Sequence, residues 1–294
     1  MNMSLDEANP IPVDPAVLTT RYRDSPAIAQ SDVKLYKRSK LLYYQMRVAK
    51  TRKPDQPTKS MKFGSNLERF IREGFHNVYT YPEGIKVARG KKYEEWRASL
   101  PTGAVVMTPS EYAEITCYQE AIDNVRAHKH AGLLVFGKET EWHKRIFWQD
   151  SEGRPRKAEL DMYLPTRGGC IADLKTTVSV NPDEFAKQCF NLGYHIQAAC
   201  YQEAVQSLPG MAKSAPTYFL VAVLNKPPYN VEVYQVPQEW IDQGKEWLNK
   251  WLERLQNSYA TNDWSVPLTG QYPMLLEAPR WAKYEDEQLE EMIG

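Results

Sequence analysis

The run from Lys157 to Thr177, KAELDMYLPTRGGCIADLKTT, constrains this chain more than any other part of it. Leu160 to Leu164 and Cys170 to Leu174 read as two short strands, and Thr166-Arg167-Gly168-Gly169 between them supplies a hairpin turn. Each strand carries one acid in an apolar run, Asp161 in the first and Asp173 in the second. Antiparallel pairing brings both carboxylates to the same end of the sheet. Lys175 stands one side-chain alternation beyond Asp173. Two carboxylates with an ammonium beside them make a site for a hard cation. Metal-assisted phosphodiester hydrolysis needs that set: oxygen ligands for Mg2+, and a positive charge that orients water or steadies developing charge. A solvated hairpin with both acids facing water is the plainer alternative.

The next segment adds to the pattern. Asn181-Pro182-Asp183-Glu184 is a helix start, with an N-cap candidate, proline at the first position and two acids in the first turn. Phe185, Cys189, Leu192, Ile196 and Ala199 then recur at helical spacing as a buried stripe. Tyr194, Gln197 and Tyr201 share another face. A glutamine beside a core stripe either bonds the backbone or has an amide with work to do at the site.

The string ELD…IADLKTT…PDEF…GYHIQAACY resembles the PD-(D/E)XK nuclease superfamily, and within it the RecE (exonuclease VIII) type of phage and prophage exonuclease. In that pattern Asp161 and Asp173 are the acids, Lys175 the lysine, and Gln197 and Tyr201 the Gln-x-x-x-Tyr of the following helix. Gly64-Ser65-Asn66-Leu67-Glu68, followed by Glu73 and Phe75, resembles the family's N-terminal helix signature, usually Gly-x-x-x-His and then Leu-Glu-Pro. Asn262-Asp263-Trp264, Gly270-Gln271-Tyr272 and Ala278-Pro279-Arg280-Trp281-Ala282 resemble its Trp-rich C-terminal end. The resemblance covers roughly residues 31–284.

Two departures bear on metal binding. Glu68 occupies the family's histidine position, and a carboxylate suits Mg2+ better than imidazole does; a solvent-facing helix glutamate is the alternative. Glu159 stands where the family often has a basic residue. At period two it points to the same face as Asp161, as a ligand, an outer acid or a partner for Lys157. Glu141 is a further candidate, because the family often has a glutamate just before this strand.

The chain has 294 residues, 42% of them apolar, with eight Trp and eighteen Tyr, enough for one α/β domain with insertions. No apolar run approaches 18 residues, so no membrane span is expected. The acidic start MNMSLDEANPIPVD has no signal-peptide core, and a cytoplasmic protein of the bacterial host is expected. Cys117, Cys170, Cys189 and Cys200 form no C-x-x-C pair, which argues against a zinc ribbon, and none follows Cys200, which argues against the iron–sulfur branch of the superfamily.

Net charge is zero, but it is unevenly spread. Residues 34–62 carry ten Lys and Arg against one acid, Asp55, and Glu285 to Glu291 is strongly acidic. Local field, rather than the sum, steers a polyanion. Arg52, Lys53, Lys59 and Lys62 are therefore candidate DNA contacts, with Lys86, Arg89, Lys91 and Lys92 as a second cluster. Helices are expected over residues 31–47, 64–79, 109–128 and 237–256, a lead into the sheet over 133–148, and strands over 217–224 and 231–236. Residues 1–30 read as an extended arm, 31–284 as the nuclease domain and 285–294 as an acidic tail.

The expected fold is α/β, a restriction-endonuclease-like central mixed sheet flanked by helices. The resemblance implies an Mg2+-dependent exonuclease, with Mn2+ also supporting activity, that degrades one strand of linear double-stranded DNA 5′→3′. The resulting 3′ tails serve recombination through a single-strand annealing protein. It also implies a homo-oligomeric ring on double-stranded DNA ends. Asp161, Asp173 and the Leu174 backbone carbonyl would hold metal, Lys175 would orient or deprotonate water, and Gln197 and Tyr201 would hold Lys175 or the scissile phosphate. The rival readings are a structure-specific or nicking endonuclease of the same superfamily, and a non-catalytic DNA-binding protein.

Overall fold

The structure is a computed structural model that describes residues 22, 25–113, 115–211 and 215–265. The Gly270 and Ala278 motifs and the acidic tail lie outside the described residues, as does most of the expected N-terminal arm. In chain order the elements are α1 (Gln30–Arg38), α2 (Lys40–Tyr43), α3 (Lys59–Glu73), β1 (Val78–Thr80), α4 (Lys91–Ser99), β2 (Val105–Met107), α5 (Pro109–Ala113), α6 (Ile115–Ala127) and α7 (Lys129–Phe136). There follow β3 (Glu141–Gln149), β4 (Pro155–Leu164), β5 (Cys170–Thr177), α8 (Pro182–Leu192), α9 (Tyr194–Gln206), β6 (Tyr218–Leu224), β7 (Val231–Gln235) and α10 (Gln238–Thr261).

The main sheet has the order β3-β4-β5-β6-β7. Its pairs are antiparallel except β5 with β6, which are parallel. A parallel pair needs a crossover, and α8 with α9 supplies it. β6 is nearly all apolar because it is central and covered on both faces. One core layer joins the sheet to α1, α8, α9 and α10 through Val33, Phe185, Ile196, Ala199, Ile241 and Leu252. The other joins it to α3, α6 and α7 through Leu67, Phe70, Ile122, Val125 and Leu134. The result is a mixed α/β sandwich of the restriction-endonuclease-like type. No helix among the described residues is long and apolar enough to cross a membrane.

Local chemistry moves several expected boundaries. The helix expected over 31–47 breaks at Ser39, whose extended backbone (φ −165°) lets its hydroxyl accept from Leu42 N–H and cap α2; a π-helical turn, Tyr44–Val48, follows. The helix expected from residue 64 starts at Lys59 instead, capped by Thr58, and ends at Gly74; Val78–Thr80 is a strand. Leu133 to Phe136 belong to α7 rather than to the approach to the sheet, which begins at Glu141. The single helix expected after the hairpin is two, because Gly193 takes a left-handed conformation (φ 68°) that ends α8 and starts α9. That break leaves Leu192 exposed, out of the expected stripe. It also turns α9 into the centre of its layer, buried nearly all round.

Candidate active site

The β4–β5 ladder pairs Leu164 with Cys170, Tyr163 with Ile171 and Met162 with Ala172, and stops there. The next step of the register sets Asp161 opposite Asp173, where the two strands part. On its other edge β4 is also interrupted: the β3 register runs from Trp142↔Met162 to Lys144↔Leu160 and skips His143↔Asp161. His143 has φ 52°, a left-handed backbone that a non-glycine residue rarely adopts inside a strand. The kink exchanges the faces of the sheet. Ala158 and Leu160 pack in the α9 layer, whereas Met162 and Leu164, of the same parity, pack in the α3 layer. Asp161 sits at the crossover point.

Parting of the strands frees backbone groups for the site. The Leu174 N–H has lost its ladder partner and donates to Asp161 Oδ2 at 3.4 Å. In a strand the carbonyl leaves on the same side as the N–H of its own residue, so Leu174 C=O faces the same gap.

Asp173 is fully buried. Its Oδ1 accepts from Gln197 Nε2 at 2.8 Å, and its Oδ2 is ion-paired with Lys175 Nζ. The Gln197 amide thus has work to do, but it holds Asp173 rather than Lys175. Burial alone would lower the Lys175 pKa; Asp173 and Asp161 outweigh it and hold the ammonium charged well above its ordinary range. Burial pushes the Asp161 carboxyl well up, and Asp173 and Glu68 push it further, against the pull of Lys175. Tyr201 bonds Gln197 and has its phenol raised by burial and by both aspartates. Tyr218, fully buried on β6, feels the same two acids.

Asp173 is fully and Asp161 partly buried, and the single ammonium facing them leaves the centre short of positive charge, a deficit that the raised Asp161 pKa would ease by favouring a proton there. A hard divalent cation would do so better, and the donors on offer are oxygens. Among the described residues no three His, Cys, Asp or Glu side chains form a complete cation cage. The aspartates, the Leu174 carbonyl and water are the groups that would hold one.

Glu68 comes within the field of Asp161, but its Oε1 also lies 2.7 Å from His143 Nε2 and 3.8 Å from Arg72. α3 reaches this position because Gly64 packs directly on β5: a Cβ there would stand 2.9 Å from Thr176 Oγ1. Glu159 does not share a face with Asp161. The kink turns it to His143 Nδ1 (3.1 Å) and Arg145, whose hydrogen bonds lower its pKa against the opposing effect of burial. Lys157 instead donates to the carbonyls of Tyr22 and Ser25. Glu141 pairs with Lys144 at 2.8 Å, outside the group of charges that act on Asp161.

Three further neighbours complete the site, of which the sequence reading singled out only Tyr194, on the face of Gln197 and Tyr201. His143 bridges Glu68 and Glu159, and only its contact on the fold reveals it. Tyr194 carries Lys175 4.8 Å from its ring centroid. Lys34 of α1 lies 5.7 Å from the same centroid, and burial, then Lys175, lower its pKa to about 8. The basic segment is therefore not one surface. Lys34 faces the site, Arg47 pairs with Asp32 at 2.6 Å, and Lys40 with Asp263 at 2.7 Å. Arg52, Lys53, Lys59 and Lys62 are exposed, with Arg52 beside Asp55 and Lys62 3.8 Å from Glu111. Arg89, Lys91 and Lys92 are exposed at the start of α4.

Comparison with known proteins bears on the fold. A crystal structure from Eubacterium rectale, described as a "putative exonuclease", superposes with a TM-score of 0.59 at 13% identity, covering 91% of this chain and 95% of that one. A phage-related exonuclease from Haemophilus somnus 129PT reaches a TM-score of 0.31 at 15% identity, over 68% of this chain and 95% of that one. No curated protein sequence matches the chain. Residues 38–271 match the model of the family described as a PDDEXK-like domain of unknown function (DUF3799), and the chain belongs to that family.

Proposed function

We propose that this protein is a divalent-metal-dependent nuclease that degrades one strand of linear double-stranded DNA from its 5′ end, leaving 3′ single-stranded tails for strand annealing. The observation that carries this reading is the gap between β4 and β5, where Asp161 and Asp173 face each other with Lys175 on one of them. A bound Mg2+ or Mn2+ would activate water and offset charge on the phosphate oxygens. The residues of the chain do the rest. Gln197 fixes the rotamer of Asp173, and Tyr201 fixes Gln197. Lys175, an ammonium beside Asp173 in the metal-free chain, orients or deprotonates the attacking water and steadies the developing charge on the phosphate. Lys34 adds a second cation for a DNA phosphate beside the cut.

The exonuclease assignment leans on the RecE-like motifs and on the likeness of fold to one protein described as a putative exonuclease. Ring assembly and an annealing partner belong to the same proposal. Incubation of a 3′-labelled linear duplex and a closed circle of the same sequence with Mg2+ tests it: stepwise shortening of the linear DNA alone is expected. Nicking of the circle would favour the endonuclease reading.

A further inference from the structure

The cations of α1 point to two places. Lys34 faces the active site, while Lys37 and Arg38, about one turn on, line a groove of about 820 Å³ between α1 and α10. On α10, Lys250, Trp251 and Arg254 line the groove, and Trp247, at the same helical spacing and in contact with Lys37, borders it. Five basic side chains line the groove against one acid, Glu253, although Lys40 is already held by Asp263. Lys37 Nζ stands 5.1 Å from the Trp247 ring centroid and the Arg254 guanidinium 4.8 Å from that of Trp251. Trp247 is 40% exposed. The walls are fixed to one another, since Tyr36 Oη donates to the Arg254 carbonyl at 3.0 Å or shares a hydrogen with Ser258 Oγ at 2.7 Å.

Cations lead from the active site towards this groove. Lys175, Lys34 and Lys37 follow one another outward, and Lys34 and Lys37 both act on the same buried imidazole, His195. A phosphate chain leaving the site would meet positive charge at each step.

We infer that the α1–α10 groove is a binding track for single-stranded DNA, the strand left when its complement is removed. That identity of the strand rests on the nuclease reading. Packed helices have axes about 8–10 Å apart, and the furrow between them admits a single chain rather than a duplex. An exposed indole, Trp247, and a half-buried one, Trp251, alternating with cations suit unpaired bases on a charged backbone, because a duplex keeps its base faces stacked inside. On binding, Lys37 and Arg254 exchange the rings for phosphates and the rings take bases.

The test is fluorescence anisotropy of labelled oligo(dT) and of a blunt duplex with capped ends, in EDTA, over a range of salt. Without divalent cation the assay reads the groove even in a chain that cuts nothing, and cleavage by the wild-type chain is scored separately. Trp247→Ala should weaken oligo(dT) binding about tenfold, the loss expected for one stacked base. Trp247→Phe should recover most of it. Lys250→Ala with Arg254→Ala should flatten the oligo(dT) salt slope by roughly 1.4, at about 0.7 for each lost phosphate contact on a single strand. These three side chains are exposed, so their loss leaves the core closed. Duplex affinity should stay unchanged. Wild-type oligo(dT) binding in all variants would overturn the inference, and so would an equal loss for duplex and oligo(dT), which would make the groove a duplex track.

Discussion

Lys34 on α1 and Lys175 on β5 share one aromatic ring, with ammonium nitrogens 5.7 and 4.8 Å from the centroid of Tyr194. Two cations from distant parts of the chain thus converge beside Asp173. The first helix is part of the site and not an appendage to it. Burial first, and then the like charge of Lys175, lower the Lys34 pKa to about 8.

That value predicts a pH dependence of DNA binding. Lys34 binds fewer protons in the folded chain than in the unfolded one between about 8 and 10.5, so through this residue folding stability rises with pH. Phosphate binding works the other way, because it needs the charged form. Duplex affinity, measured without catalytic metal, should fall as pH rises through 8. Lys34→Arg should remove that fall, since guanidinium stays charged. Lys34→Ala should remove it too, at an affinity as weak as that of the wild type at high pH. A wild-type pH profile retained in Lys34→Ala would place the titrating group elsewhere.

Asp161 predicts an effect on stability. Its folded pKa is raised above the unfolded value by burial and by Asp173, so the folded chain holds the extra proton. Stability therefore falls as pH rises from the unfolded pKa through the folded one, and stays low above it. Asp161→Asn relieves this cost. Without metal, thermal melts should show the variant more stable than wild type at pH 7, by about 2–4 °C for each kcal/mol relieved. The gain should vanish below about pH 4, near the ordinary carboxylate pKa. A gain unchanged at low pH would mean that charge is not its source.

Divalent cation should reverse that order. Mg2+, Mn2+ or Ca2+ bound between the aspartates should stabilise the wild type by about 2.7 kcal/mol at a hundredfold excess over Kd. Asp173→Ala should lose the response altogether. Glu68→Gln should keep the full shift but need more metal to reach it, because Glu68 acts on Asp161 through its charge. An unchanged metal requirement in Glu68→Gln would return Glu68 to its pairing with His143 and Arg72.

The sequence carried the hairpin acids and the lysine openly, because strand periodicity and a glycine turn report directly on which side chains meet. Gln197 was legible as a polar residue on a core helix, and its partner, Asp173, followed once α9 was placed. Glu159 was misplaced for a physical reason. Period-two alternation assumes an unbroken strand, and the left-handed His143 opposite Asp161 breaks it. His143 and Lys34 were hidden because long-range packing, and no local spacing, brings them to the site. The basic segment was visible as composition, but the fold divides it among the active site, the α10 groove and local ion pairs.

Cleavage of an end-labelled linear duplex in Mg2+ by wild type, Asp173→Ala and Lys175→Ala tests the central claim most directly. The account predicts stepwise shortening by the wild type and none by Asp173→Ala. Lys175→Ala should be slower by a factor on the order of 10² or more while keeping the metal-induced rise in melting temperature. Wild-type rates in either variant would contradict the assignment of this site.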